Sequence, residues 1–546
     1  MSQVSRRQFL KWSLAAGATL LLPTPALAAN ASPGDGGSAL TDVAFIDHYN
    51  LRGYAEGADA TRRQLAQLKL NLDRTAALGV TRYVLFTRDT FEGILTYDFD
   101  MDGVGRVGQV FGAGSATRQT AAFLRGMLRE AVDHATARGV KLYVNTNQFE
   151  IPKPVYRLLD ERLAGTTGSP VCPGREDTWR LYRGKLNEFL GLFPEIAGLQ
   201  VTADEVTYSI LDCQCDYCRA LSPLERINRL ARETAAVVGK REVHLRAWQF
   251  IEALDAYDPA RMFDGLPDSV VMSLKSVRPD FLLNAAFDDR LIGAGDPTRQ
   301  VVEFDAWREY DGHNYFPTYQ GDAWATVARA CAARGIRRYA VRLNWNDGDN
   351  PIFERPWANA VNVAMLLALA RTPYSDPDRL LRRVVADIFP PAARAAAVAV
   401  YKSSLSLKQA AYFLGDDYLA HHMRLPKDLE RTTEIYATVQ DRLRTADDFR
   451  RRRAALDEVY AAVAARVAAL DGAAPAGWVA ELRRGARVDW FVGMGLLNQL
   501  QAVSPARGEA ALTERVLDND RRWQAEDTAS YLDLRGPMPK ILLGVG

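Results

Sequence analysis

Thr117–Thr146 reads TRQTAAFLRGMLREAVDHATARGVKLYVNT, and one structural pattern gives way to another inside it. Up to Arg138 the segment is amphipathic at helical spacing, and Lys141–Thr146 is a short run of β-branched, aromatic and apolar residues, the signature of a buried strand. Gly139 stands between them, where a helix needs a left-handed C-cap and the next strand can start at once. The same punctuation recurs at Leu78-Gly79-Val80 and Arg334-Gly335-Ile336. Working outward from these units, strand-like runs occur at Asp42–His48, Arg82–Thr87, Lys141–Thr146, Gly198–Asp204, Glu242–Trp248, Ser269–Lys275, Gln300–Asp305 and Arg338–Trp345. Amphipathic segments such as Thr61–Leu78, Thr117–Arg138 and Leu224–Val238 lie between most of them.

Eight such units over about 300 residues predict an α/β fold of the (β/α)8 barrel type, which takes about 250 residues before insertions. A doubly wound sheet is the competitor, but no glycine-rich phosphate loop follows the first strand. The barrel is expected over residues 41–373. After Thr372-Pro373 the pattern is helix after helix, Ala- and Arg-rich, and an all-α C-terminal domain is expected over 374–546. The run Arg450–Arg453 lies within a helical pattern and reads as a solvated, salt-bridged face.

The 546 residues carry 68 basic and 67 acidic side chains. That balance argues against a nucleic-acid or membrane-surface partner recruited by charge. The N-terminus reads separately. Ser5-Arg6-Arg7-Gln8-Phe9-Leu10-Lys11 is a twin-arginine pattern, the apolar run Trp12–Leu22 follows, and Ala26-Leu27-Ala28 offers small residues for cleavage. Residues 1–28 are thus a signal peptide and 29–40 a flexible lead-in. The apolar run is too short to span a bilayer, which needs about 20 residues. The expectation is a periplasmic or secreted protein, with no membrane association in the mature form.

In a (β/α)8 barrel, chemistry gathers at the C-terminal ends of the strands. There this sequence places Asp47, His48, Asn145, Asn147, Asp204, Glu205, Arg246, Trp248, Lys275, Asp280, Glu303, Asp305, Glu309 and Asn344-Trp345-Asn346-Asp347. A single strand-end acid is more often a salt-bridged surface residue. Carboxylates, cations and tryptophans converging on one mouth suit a sugar, whose C–H face stacks on indole and whose acetal needs proton transfer. Glycoside hydrolysis requires a proton donor and a second carboxylate as base or nucleophile. Glu205, Asp280 and Glu309, from three separate loops, are the catalytic candidates.

Four short motifs in register carry a resemblance. Val201–Glu205 (VTADE), Arg246–Trp248 (RAW), Lys275–Phe281 (KSVRPDF) and Val302–Tyr310 (VEFDAWREY) are similar to the strand-end motifs of the xylan α-glucuronidases. The resemblance implies that Glu205 is the general acid and that Asp280 and Glu309 hold and activate the water of an inverting reaction. It also implies that Arg246 and Lys275 receive a uronate carboxylate. Asp204, Glu303, Asn147, Trp345, Trp248 and His48 complete the expected substrate-binding set. The chain departs from that family in lacking its N-terminal β-rich domain, in the cysteines after Glu205, and in Ser276-Val277-Arg278-Pro279. Asp204-Glu205-Val206 also resembles the strand-4 motif of β-N-acetylhexosaminidases, which implies substrate-assisted catalysis with Asp204 orienting an acetamido group. A glycan-binding barrel without catalysis is the third reading.

Gly198–Leu221, GLQVTADEVTYSILDCQCDYCRAL, follows its acids with three cysteines. With Cys172 as a fourth thiolate this C-x-C-x-x-C could hold zinc or an iron–sulfur cluster. Yet only one close knuckle exists, and in an oxidising compartment a disulfide or structural thiols are the plainer reading. Cys331 is the fifth cysteine. The six histidines show no metal-ligand spacing, and no nucleophile elbow, P-loop or dinucleotide fingerprint occurs. The sequence therefore predicts an exported exo-acting glycosidase without cofactor or catalytic metal. Its expected partner is an acidic oligosaccharide, and the helical domain offers surface for a homodimer.

Overall fold

The computed structural model describes residues 42–48, 58–86, 88–147, 149–165, 169–203, 209–249, 251–278, 280–313, 315–344, 356–420, 425–426, 428–508 and 511–525. Eight strands pair in parallel, each with its neighbours in sequence, and the last closes on the first to make a barrel. They are β1 (Asp42–His48), β2 (Arg82–Phe86), β3 (Lys141–Asn147), β4 (Gly198–Thr202), β5 (Glu242–Arg246), β6 (Val270–Lys275), β7 (Gln300–Asp305) and β8 (Arg338–Asn344). All eight predicted strands form, with ends shifted by a few residues. Gly79, Gly139 and Gly335 adopt the positive φ expected of a helix C-cap before a strand.

The crossovers carry α1 (Ala58–Ala77), α2 (Arg88–Ile94), α3 (Ala116–Ala137), α4 (Lys153–Leu163), α5 (Glu176–Leu192), α6 (Asp216–Arg219), α7 (Pro223–Val238) and α8 (Gly321–Ala333). The sequence marks α7 well: Pro223 opens it, and Ser222 and Glu225 exchange bonds in a capping box, an arrangement contributing about 1 kcal/mol. On α5, Trp179, Tyr182 and Phe189 bury completely, each stabilising by about 2–3 kcal/mol. The regular alternation breaks in two places. Among the described residues, the crossovers from β5 to β6 and from β6 to β7 hold only 3-10 turns and a two-residue ribbon (Val277–Arg278 with Ala286–Phe287) instead of an α-helix.

After β8 come α9 (Val361–Arg371), α10 (Pro377–Ile388), α11 (Arg394–Tyr412), α12 (Leu429–Val439), α13 (Ala446–Ala468), α14 (Ala476–Val503) and α15 (Leu512–Ala525). α14 is the hub. Between Gly485 and Gln501 nearly every position is buried, as expected of a helix with neighbours on all sides. Its apolar residues join those of the barrel's outer layer in one continuous core. The arginine run on α13 divides in two. Arg450 and Arg451 pair with Asp447 and Asp448 at the surface. Arg452 instead donates to the backbone carbonyl of Ala410 at 2.9 Å, and Arg453 donates to Gln501. Half of the run thus stitches α13 to α11 and α14 rather than facing solvent.

Candidate active site

Alternation along each strand decides which side chains enter the barrel. Ala44, Ile46, Val84, Tyr143, Val271, Val301 and Ala340 form a separate inner cluster. Two or four positions further along the same faces lie His48, Asn145 and Asn147, Ser273 and Lys275, Glu303 and Asp305, and Arg342. Register aligns them laterally: Glu303 stands beside Lys275, and Asp305 beside Arg342. Asp47 has the opposite parity and turns outward, where Asn71 of α1 donates to it at 2.8 Å and Tyr83 also donates to it. Its burial raises the carboxyl pKa to about 6 against those hydrogen bonds.

The mouth above β5–β8 is a set of buried ion pairs. Arg246 Nε lies 3.1 Å from Glu303 Oε1, and Ser273 donates to the same oxygen at 2.7 Å. Lys275 pairs with Asp280, whose other oxygen accepts from the Tyr310 hydroxyl at 2.6 Å. Arg342 Nη2 donates to Glu309 Oε2 at 2.5 Å, and its Nε lies 3.6 Å from Asp305 Oδ1. The Phe281 ring is shared, with the Arg342 guanidinium 4.6 Å and the Lys275 ammonium 5.3 Å from its centre. Asp305 does more than balance charge: it accepts from the backbone N–H of Trp307 at 3.1 Å and of Glu309 at 3.0 Å. It therefore fixes the turn that presents Glu309.

These contacts set the ionisation. Burial lifts the Asp280 carboxyl, but Lys275 and Arg342 outweigh it and hold the pKa at about 2. Glu303 is likewise held low, since Arg246 and the Ser273 hydroxyl overcome its burial. Asp305 goes the other way: burial prevails over Arg342 and Arg308 and raises it. Lys275 is lowered by burial and by the neighbouring guanidinium groups, against the pull of Asp280.

The helical region braces the β7 loop. Tyr418 donates to the Tyr310 carbonyl at 2.7 Å, and the Tyr319 amide donates to Ser404 Oγ at 3.0 Å. α14 meets the loop backbone at Gly485, where a Cβ would overlap the Tyr315 carbonyl. Beneath Gly312 lies a fully buried ion pair, Lys408 Nζ to Asp489 Oδ2 at 2.7 Å, with Tyr412 donating to Oδ1 at 2.9 Å.

A barrel with a charged mouth and a trailing helical region can be set beside known structures. Its fold is similar to that of a known glycoside hydrolase. That protein is a GH138 enzyme targeting pectin rhamnogalacturonan II, with a TM-score of 0.52 and 9% identity over 91% of this chain. The chain spans 63% of that protein's length. No curated protein matches the sequence. Residues 3–23 match the TAT (twin-arginine translocation) pathway signal sequence, so the chain carries the signal for twin-arginine export to a periplasmic or secreted destination. Among the described residues no helix is long and apolar enough to cross a membrane.

Of the residues singled out from sequence, the structure gathers Arg246, Lys275, Asp280, Glu303 and Glu309 at one end of the barrel. His48 and Asn147 are buried at the ends of β1 and β3. Trp248 lies in the main hydrophobic core. Asp204, Glu205 and Trp345 lie outside the described residues. Sequence reasoning missed Arg342, the cation shared by two loops, and gave no role to Tyr310 or Phe281. The inward parity of Arg342 on β8 was the available signal.

The cysteines fall within the alternatives that the sequence left open. All five are free thiols. Cys172 Sγ is 3.6 Å from both Cys215 Sγ and Cys218 Sγ, whereas a disulfide requires about 2.05 Å. Of those alternatives, the geometry matches close-packed thiols and not a disulfide.

Proposed function

We propose that the protein is an exported glycoside hydrolase that releases uronic acid from acidic oligosaccharides by an inverting acid/base mechanism. The observation that carries the reading is the joining of Asp280 and Glu309, from the loops after β6 and β7, through Arg342, Tyr310 and Phe281. An inverting enzyme needs one carboxyl protonated as acid and an ionised carboxylate to hold water on the opposite face. Asp280, held near pKa 2, suits the second task and not the first, which would call for a raised value. Glu205, eight positions before Cys213, is the proposed acid. Arg246 and Lys275 would receive the uronate, since a guanidinium fork and an ammonium bind carboxylate by charge-assisted hydrogen bonds.

The test is proton NMR of the exported protein with glucuronoxylo-oligosaccharides, rhamnogalacturonan II fragments and N-acetylhexosaminides. Release of uronic acid with inverted anomeric configuration is expected. A loss of about 10²- to 10⁴-fold is expected in Asp280→Asn and Glu205→Gln. Release of N-acetylhexosamine, or full activity in both variants, would overturn the reading.

A further inference from the structure

The four clustered cysteines come from two separate crossovers. Cys172 lies between α4 and α5, and Cys213, Cys215 and Cys218 lie between β4 and α7. Their sulfur atoms all lie within 4.8 Å of one another, and that of Cys172 is 3.6 Å from those of Cys215 and Cys218. A regular tetrahedron of thiolates about 2.3 Å from a central zinc has edges of about 3.8 Å. The spacing is thus too wide for a disulfide and close to that of one tetrahedral ion. A multi-iron cluster would hold its thiolates on different irons, and so farther apart.

Two of the sulfur atoms also accept backbone N–H bonds. The backbone N–H of Gly174 donates to the Cys172 sulfur, and that of Cys218 to the Cys215 sulfur. Such knuckle bonds favour the charged sulfur and orient it. Cys172, Cys213 and Cys218 are buried. Gly165 leaves no room for a side chain, since a Cβ there would strike the Cys213 sulfur.

A second observation is independent of the sulfur positions. Arg226 on α7 is buried and donates to the carbonyls of Leu211 at 2.9 Å, Cys213 at 3.0 Å, Ile210 at 3.4 Å and also Cys218. Among the described residues no carboxylate pairs with it. A buried guanidinium is costly unless a counter-charge lies near it, and its four acceptors among the described residues all belong to the loop that supplies three of the cysteines. A divalent ion with four thiolates carries a net charge of −2 and provides that counter-charge beside it.

We propose that Cys172, Cys213, Cys215 and Cys218 bind one zinc ion as a structural site. Binding replaces four S–H protons with four Zn–S bonds and releases the four protons, with no change of oxidation state. The ion ties the two crossovers that flank β4. Twin-arginine export carries folded proteins, so zinc is taken up in the reducing cytoplasm and shields the thiols from oxidation afterwards. The site stands whether or not the barrel is a glycosidase.

Elemental analysis of the exported protein is expected to find about one zinc per chain. Cys213→Ser and Cys218→Ser are expected to reduce it to background, with Cys331→Ala unchanged. Should the serine variants fail to fold, cobalt exchanged into the wild type reads the same site. Intense thiolate-to-cobalt charge transfer with tetrahedral d–d bands is expected. Metal-free protein with a disulfide among these four cysteines would overturn the proposal, as would zinc content indifferent to the substitutions. Iron as the resident ion would overturn the choice of metal.

Discussion

Lys408→Met should be the most damaging single change in the helical region. Lys408 and Asp489 are both fully buried and 2.7 Å apart. At an effective dielectric of about 20, a pair at that distance attracts by about 6 kcal/mol, which offsets the cost of burying two charges. Burial still prevails at Asp489, whose pKa rises to about 6 against the pull of Lys408 and Tyr412. Methionine preserves most of the lysine's bulk but removes the cation, leaving a buried carboxylate with the Tyr412 hydroxyl as its neutral donor. The expected loss is about 3–5 kcal/mol at pH 8. The loss should shrink towards pH 5, where the stranded carboxyl takes up a proton. Lys408→Met with Asp489→Asn removes both charges and should cost less, about 1–2 kcal/mol, with little pH dependence. Denaturant unfolding at pH 8 and pH 5 reads all three chains. Amide exchange over residues 308–313 should quicken in the single variant, because the pair lies directly under Gly312. A single variant within about 1 kcal/mol of wild type, or a double variant as unstable as the single at pH 8, would refute the reasoning.

Other outcomes follow from the same contacts. Asp47 is raised to about 6 by burial from an ordinary 3.8, so its favourable contribution is complete below about pH 4 and is lost as pH rises through about 6. That amounts to about 3 kcal/mol, and Asp47→Asn should flatten the stability profile over that window by a similar amount; an unchanged profile would contradict the assignment. Gly485→Ala should cost about 1–3 kcal/mol and lower the unfolding midpoint, since its Cβ would displace the Tyr315 carbonyl. In the proposed reaction Arg246→Lys keeps the charge but loses the fork. It should raise KM for uronate-capped substrates about tenfold while leaving binding of neutral oligosaccharides unchanged, as steady-state kinetics and titration would show.

The barrel was legible because its strands are short β-branched runs set off by glycine-capped helices, a signal local in sequence. What escaped notice depended on three-dimensional closure. Nothing between Arg246 and Val270 announces that the crossover lacks an α-helix, because 3-10 turns leave no long periodicity. Arg342 sits two residues inside the end of β8, and attention to the last residues of each strand passed over it, although alternation aims it into the barrel. Trp248 marks the limit of that rule. It lies two positions past Arg246, but β5 has ended by then and parity no longer governs where the indole goes. The Cys172 partnership was open from composition, yet only the turn between α4 and α5 brings that thiol to the knuckle.

The barrel's two ends argue for function at one of them. At the N-terminal end, Asp42, Arg82, Glu242 and Arg338 form a network whose side chains remain 15–29% exposed. Water still solvates those charges, so the network is cheap to keep and needs no purpose beyond closing the barrel floor. At the C-terminal end, Arg246 with Glu303 and Arg342 with Glu309 are at most 5% exposed. Desolvating such pairs costs several kcal/mol per ion before their attraction is counted, and apolar residues of similar size would often serve stability as well or better. The layer just below mixes Ala44, Ile46, Val84, Val271, Val301 and Ala340 with the neutral hydroxyl of Tyr143 and the buried ring of His244. Folding alone therefore does not call for ions at this level. The proposed reaction gives them a use: Arg246 and Lys275 would offer their remaining donors to a substrate carboxylate while Glu303 and Asp280 keep both cations partnered.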